Sequence, residues 1–184
     1  MYSPSEMTSA LPPLDRSIVL VGLMGAGKST VGRRLARRLQ LDFIDSDEEI
    51  ERVADHCIAE IFERFGEASF RDGERRVIAR LIEGKPKVIA TGGGAFLDQE
   101  TRRLILDRCI AIWLDADLDI LAERVSRRDQ RPLLRGKEPL PVLQTLAEVR
   151  NPVYAEAHLH IRSQPAPHER AVERILEALA AWRK

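Results

Sequence analysis

Unbroken apolar runs alternate along this chain with stretches whose apolar positions recur at helical spacing, and the alternation predicts its elements. Ile18-Val19-Leu20-Val21 is apolar without interruption, as in a strand buried on both faces, beginning near Ser17. From about Lys28, Val31, Leu35 and Leu39 form one stripe while Arg33, Arg34, Arg37 and Arg38 fall off it, which predicts an amphipathic helix. Asp42-Phe43-Ile44-Asp45 reads as a short second strand, and Ser46-x-x-Glu49 resembles a capping box opening a helix through about Val53. Ile58, Ile61, Phe62 and Phe65 recur at helical spacing up to a stop at Gly66. A longer helix follows from about Ala68 to Glu83, with Phe70, Val77, Ile78, Leu81 and Ile82 apolar, closed by Gly84 and Pro86.

The second half repeats the scheme. Lys87-Val88-Ile89-Ala90-Thr91 is a third strand ending in Gly92-Gly93-Gly94, and Asp98 can cap a helix to about Asp107. Ile110 to Leu114 is a fourth buried strand, followed by a helix near Leu118 to Arg128. Residues 129–141, rich in proline and charge, read as a loop, and a helix through Val142, Leu146 and Val149 reaches Arg150 before Pro152 disturbs it. Leu159-His160-Ile161 is a short fifth strand, and Val172 to Trp182 a closing helix. Strands alternating with helices predict an α/β fold with a parallel sheet covered on both faces, whose ligands gather at the carboxyl ends of the strands.

The chain's 184 residues suit one domain, 17–184, behind a polar, proline-punctuated tail over residues 1–16 that is expected to be disordered. Lys and Arg number 29, as do Asp and Glu, so no net field draws the chain to nucleic acid. No apolar run is long enough for a bilayer and no signal segment is evident, so a cytoplasmic enzyme without membrane partners is expected. Cys57 and Cys109 both sit in apolar settings and read as reduced core residues. The histidines offer no third ligand at a metal-site spacing; His158 and His160 share a strand face, and His56 and His168 read as surface residues.

The chemistry concentrates at strand ends. Gly22-x-x-x-x-Gly27-Lys28-Ser29, between a buried strand and an amphipathic helix, matches a phosphate-cradling loop. Its glycines let backbone amides approach an anion, Lys28 would neutralise β/γ-phosphate charge, and the Ser29 hydroxyl would ligate Mg²⁺. A second Mg²⁺ ligand belongs at a strand end, where Asp45 and Asp115 both stand; Asp45 is favoured because Asp47 joins it, while Asp115 reads as a helix cap. Taken alone, Arg71 and Arg150 are either solvated arginines or a two-pronged clamp for a carboxylate. Three glycines at 92–94 suggest close backbone approach to a ligand. The loop holding Arg131 is either an ordinary solvated connection or a mobile cover.

Gly22–Thr30, Asp45-Ser46-Asp47, Phe70-Arg71 with Glu74, Gly92-Gly93-Gly94, Arg131-Pro132-Leu133-Leu134 and Arg150-Asn151-Pro152-x-Tyr154 together resemble, in order, the motifs of bacterial shikimate kinases. The resemblance runs from about Ser17 to Trp182. It implies a three-layer P-loop fold like that of nucleoside-monophosphate kinases, with a five-stranded parallel sheet, an acceptor-binding region over about 46–83 and a lid over about 129–141. It also implies ATP-dependent phosphorylation of the 3-hydroxyl of shikimate, with Mg²⁺ as cofactor, by a protein expected to act as a monomer. By the same resemblance Gly25, Ala26, Gly27, Lys28, Ser29 and Thr30 would wrap the ATP phosphates, Arg124 would stack on adenine and Arg131 would come from the lid. Ser29 and Asp45 would serve the metal, and Asp47 would bind the shikimate hydroxyls and accept a proton. Arg71, Arg150, Gly93 and Gly94 would hold the acceptor. Ala54-Asp55-His56-Cys57-Ile58 departs from the family, which more often has a Gly-containing turn there, and no adenine contact near Pro165–Pro167 can be assigned.

A kinase for another small hydroxy acid, such as gluconate, would keep the phosphate loop without needing the two arginines. A GTP-dependent switch would need an Asn-Lys-x-Asp guanine reader, and the one asparagine, Asn151, is followed by Pro152.

Overall fold

The computed structural model describes residues 13–127, 134, 136–163 and 167–182. Its sheet has five strands, β1 (Ile18–Val21), β2 (Asp42–Asp45), β3 (Lys87–Ala90), β4 (Ile110–Asp115) and β5 (Leu159–Arg162), in the order β2-β3-β1-β4-β5. Every pairing is parallel. β1 lies at the centre and all four of its residues are fully buried, which is why its sequence is apolar without a break. β5 lies at an edge and alternates, with Ile161 buried while His160 and Arg162 face out. The chain leaves β1 for one side of the sheet, returns through β3 and crosses to β4 on the other side, so a crevice opens where the loops after β1 and β3 diverge.

Helices α1 (Lys28–Leu39), α2 (Ser46–Ala54), α3 (Ile58–Ile82), α4 (Gln99–Arg108), α5 (Leu118–Ser126), α6 (Pro139–Tyr154) and α7 (His168–Trp182) join and flank the strands. Among the described residues no helix is long and apolar enough to cross a membrane. α4 starts as expected, with the Asp98 carboxylate accepting from the Thr101 N–H. Each large side chain buried in the shared core, such as Leu35, Ile78 or Ile105, stabilises the fold by about 1.5–3 kcal/mol.

Several expectations are corrected. Ser46 does not cap α2; Asp45 does, its carboxylate accepting from the N–H groups of Asp47 and Glu48 at 3.0 and 3.4 Å. Ser46 instead lies inside the first turn, fully buried, and Glu49 pairs with Arg52 and Arg80. The capping box stands at α3, where Glu60 accepts from the Cys57 N–H at 3.0 Å. That places Cys57 in an exposed turn and not in the core, whereas Cys109 is buried and its thiol is pushed up to about 11 by that burial. Asp55 closes α2 with φ 55, doing with an L residue what a glycine does more easily.

Gly66 breaks the helical geometry, with φ 78 and ψ 170, but as a kink within α3 and not as a stop. α6 begins at Pro139, inside the stretch expected to be loop, because proline suits the first turn of a helix. It also continues past Pro152, with Ala155 N–H bonded to the Asn151 carbonyl. Its buried stripe is Leu143, Ala147, Arg150 and Tyr154, whereas Val149, expected inside, is 66% exposed. α7 starts at His168, before the expected Val172. His158 lies outside β5 and accepts from the Ala111 N–H, so only His160 of that pair is on a strand. The tail engages before Ser17: Leu14 packs on the core, and buried Ser17 accepts from the Lys87 N–H. Residues 1–12 lie outside the described residues, as do residues 129–133 and 135 of the expected lid, Arg131, Pro132 and Leu133 among them.

The backbone of Gly66 sits where essentially only glycine is tolerated, although open space surrounds it. Gly66→Ala is expected to cost about 1–3 kcal/mol in urea unfolding. Gly73→Ala, in equally open space but with helical backbone, should instead stabilise by up to about 1 kcal/mol.

Candidate active site

β1 runs directly into the loop at residues 22–27, and Gly25 and Gly27 take φ of 80 and 89 so that the chain can turn into α1. Gly27 is the N-cap and offers no side-chain acceptor, so the first amides of α1 have no side-chain partner at the cap. No acidic residue stands in that first turn, leaving its positive end open to an anion. Lys28 folds back over the loop, its ammonium donating to the carbonyls of Gly22 and Leu23 at 2.8 and 2.9 Å. Arg124 of α5 donates to the Gly25 carbonyl at 3.2 Å.

A cavity of about 420 Å³ extends from this loop between Arg124, Arg127 and His168 at one end and Asp47, Gly92 and Gly93 at the other. His168, expected to be a surface residue, is therefore part of the site. Its ring lies against the loop so closely that a methyl group on Gly27 would come within 3.2 Å of it. Burial, together with Arg124 and Arg34, holds its imidazole below the ordinary histidine range. No sequence pattern carried this, because the contact depends on α7 packing back onto α1 from the far end of the chain.

At the middle of the cavity the Ser29 hydroxyl donates to the Asp45 carboxylate at 2.5 Å. Asp115 is engaged elsewhere, 3.1 Å from the His160 ring nitrogen. Of the two strand-end aspartates, Asp45 is the one that stands beside Ser29. A hydroxyl and one carboxylate are hard oxygen donors that fit a magnesium ion completed by phosphate and water oxygens. Among the described residues no cluster of three or more His, Cys, Asp or Glu side chains could cage a metal without such help.

The other end is built on the turn after β3, which Thr91 ties to β1 through its hydroxyl and the Leu20 carbonyl at 2.9 Å. Each of the three glycines makes room for a charged side chain. A Cβ on Gly92 would stand 2.8 Å from the Asp47 carboxylate, on Gly93 2.9 Å from the Arg150 guanidinium, and on Gly94 2.5 Å from that of Arg71. The glycine run therefore leaves room for protein side chains, a use the sequence reading, which had backbone amides approaching a ligand, did not foresee. Arg150 is 8% exposed, which removes the solvated alternative for it.

Glu74, one turn beyond Arg71 on α3, was noted in the sequence only as part of a motif. It is 3% exposed and accepts from Arg71 at 2.7 Å with one oxygen, while the other is buried with no partner among the described residues. Burial raises its carboxyl above the ordinary range against the opposing pull of Arg71. Glu74 thus feels both the Arg71 and the Arg150 guanidinium groups, while the exposed Glu67 carboxylate lies 3.5 Å from the far side of Arg71.

The glycine-rich loop with Lys28, the Ser29 and Asp45 oxygens, and the Asp47–Gly92–Gly93 end line one cavity, and this is the layout of a P-loop kinase of small molecules. The family model described as "Shikimate kinase" matches residues 24–180. A shikimate kinase from Caulobacter vibrioides is 58% identical over 170 residues, covering 92% of this chain and 85% of its own. One from Zymomonas mobilis is 54% identical over 179 residues, covering 97% of this chain and 98% of its own. The solved structure of shikimate kinase from Acinetobacter baumannii in complex with shikimate superposes with a TM-score of 0.87 at 39% identity, covering 90% of this chain and 93% of that one. The chain belongs to the shikimate kinase family.

A carboxyl raised in the folded state binds more protons there than in the unfolded chain, so its contribution to stability falls as pH rises from about 4.5 through the raised value. Glu74→Gln is expected to remove that dependence. Its stability relative to the parent, measured by urea unfolding at several pH values, should therefore improve as pH rises from about 4 to 7.

Proposed function

We propose that the chain transfers the γ-phosphoryl group of ATP to the 3-hydroxyl of shikimate, giving shikimate 3-phosphate and ADP. The observation that carries this reading is the buried Arg150 guanidinium against Gly93, in a turn that shares one cavity with Lys28 and Ser29. Shikimate offers what that end asks for, a single carboxylate for paired guanidinium groups and ring hydroxyls for a carboxylate. A gluconate-type acceptor is disfavoured by membership of the family.

In this reading residues 46–83 bind the acceptor and 129–141 cover it, with Arg71 and Arg150 gripping the carboxylate and the Gly93 and Gly94 backbone lining the acceptor pocket. Asp47 orients the 3-hydroxyl and takes its proton as the oxygen attacks the γ-phosphorus. The bond from that phosphorus to the bridging oxygen breaks, and its electron pair leaves with ADP. The amides of residues 25–30 and the Lys28 ammonium offset charge on the phosphates, Arg124 stacks on adenine, and Arg131 adds a cation from the cover. Ser29, and Asp45 through water, would hold Mg²⁺, which when bound neutralises phosphate charge. Covering the crevice keeps water from competing for the phosphoryl group.

Purified protein should release ADP in a coupled assay far faster with shikimate than without it; equal rates would overturn the assignment. In the same assay Asp47→Asn should lower turnover about 100- to 10,000-fold while nucleotide binding survives. Arg150→Ala should raise the KM for shikimate about 10- to 100-fold, the loss expected for charge-assisted hydrogen bonds, with little change in the KM for ATP.

A further inference from the structure

Arg150 and Tyr154 stand one helical turn apart on the buried stripe of α6, and both reach the glycine turn after β3. Tyr154 is 1% exposed, and its hydroxyl donates to the Gly93 carbonyl oxygen. The Arg150 guanidinium stands beside the same phenol, both facing Gly93. Burial also holds the phenol above its ordinary range, which keeps the proton it donates.

The consequence lies in the peptide that this carbonyl belongs to. Among the described residues there is no cis peptide bond, and in a planar trans peptide the C=O and N–H point to opposite sides. Anchoring the Gly93 carbonyl on Tyr154 therefore turns the Gly94 N–H the other way. That N–H has no partner among the described residues, whereas the Ala95 and Leu97 N–H groups nearby are bonded to the Gly92 and Gly94 carbonyls. Gly94 also lies directly beneath the Arg71 guanidinium. A free amide donor and a guanidinium thus stand together, as an anion requires.

We propose that Tyr154 is a positioning residue of the acceptor site, its hydroxyl setting the Gly93–Gly94 peptide so that the Gly94 N–H meets the acceptor carboxylate beside Arg71 and Arg150. The inference rests on the acceptor reading above. The competing role is packing: the Tyr154 ring lies 6.0 Å from that of Trp113, and a phenylalanine would keep that contact.

Tyr154→Phe separates the two, with the parent protein's shikimate-dependent ADP release measured first; absence of that release counts against the function and not against Tyr154. The variant is expected to raise the KM for shikimate roughly five- to tenfold, the loss of about one hydrogen bond, and to leave the KM for ATP within about twofold. Its preference for shikimate over shikimate methyl ester should shrink by a similar factor, since the lost donor acts on the carboxylate. An unchanged KM for shikimate, an unchanged acid-to-ester preference, or parallel rises in both KM values would overturn the proposal. If the variant does not fold, the parent decides: its Gly94 amide proton resonance should move downfield on adding shikimate, and a resonance that stays in place refutes the inference.

Discussion

Holding guanidinium groups partly out of water, beside a place where an anion can reach them, is the constraint on which the acceptor half of this molecule depends. An unpaired buried charge costs several kcal/mol, and a fully neutralised one would have no affinity left for a substrate. The fold takes a middle course. Arg150 is nearly buried on α6, Arg71 is partly exposed on α3, and one buried carboxyl, Glu74, stands between them with its acidity weakened by burial. The three glycines after β3 make this possible, because any Cβ there would occupy the space the charged groups use.

The two halves of the crevice are joined over two residues of chain. Asp45 ends β2, caps α2 and accepts from Ser29 of the phosphate loop, while Asp47 in the first turn of α2 lies against Gly92. Because the same carboxylate caps the helix and meets the phosphate side, the orientation of α2 and the position of Ser29 are not independent. A shift at one end is felt at the other through rigid elements and not through a flexible linker. Thr91 adds a second tie, pinning the start of the glycine turn to the central strand.

The misreadings share a cause. On α6 the apolar pattern pointed to Val142, Leu146 and Val149, while the buried stripe runs one position further on and carries Arg150 and Tyr154. Hydrophobic periodicity finds the face that meets a core; it misses a face that meets a polar site. Ser46 looked like a cap by composition, but Asp45, one residue earlier, was placed better to accept the amides of the first turn. Cys57 sits beside apolar neighbours in sequence but in an exposed turn in space.

Local sequence sufficed for the strands, for the phosphate loop between β1 and α1, and for the cap at Asp98, because each of these depends on residues within a few positions of one another. It also brought Asp45 forward, since the second carboxylate of the pair stands two residues on. Tertiary structure alone brought Arg71, Glu74, Arg150 and Tyr154 onto one glycine turn, and alone laid His168 against Gly27. Those contacts join segments far apart in the chain, and whether an arginine is solvated or buried is decided by what packs over it, which no neighbour in sequence reveals.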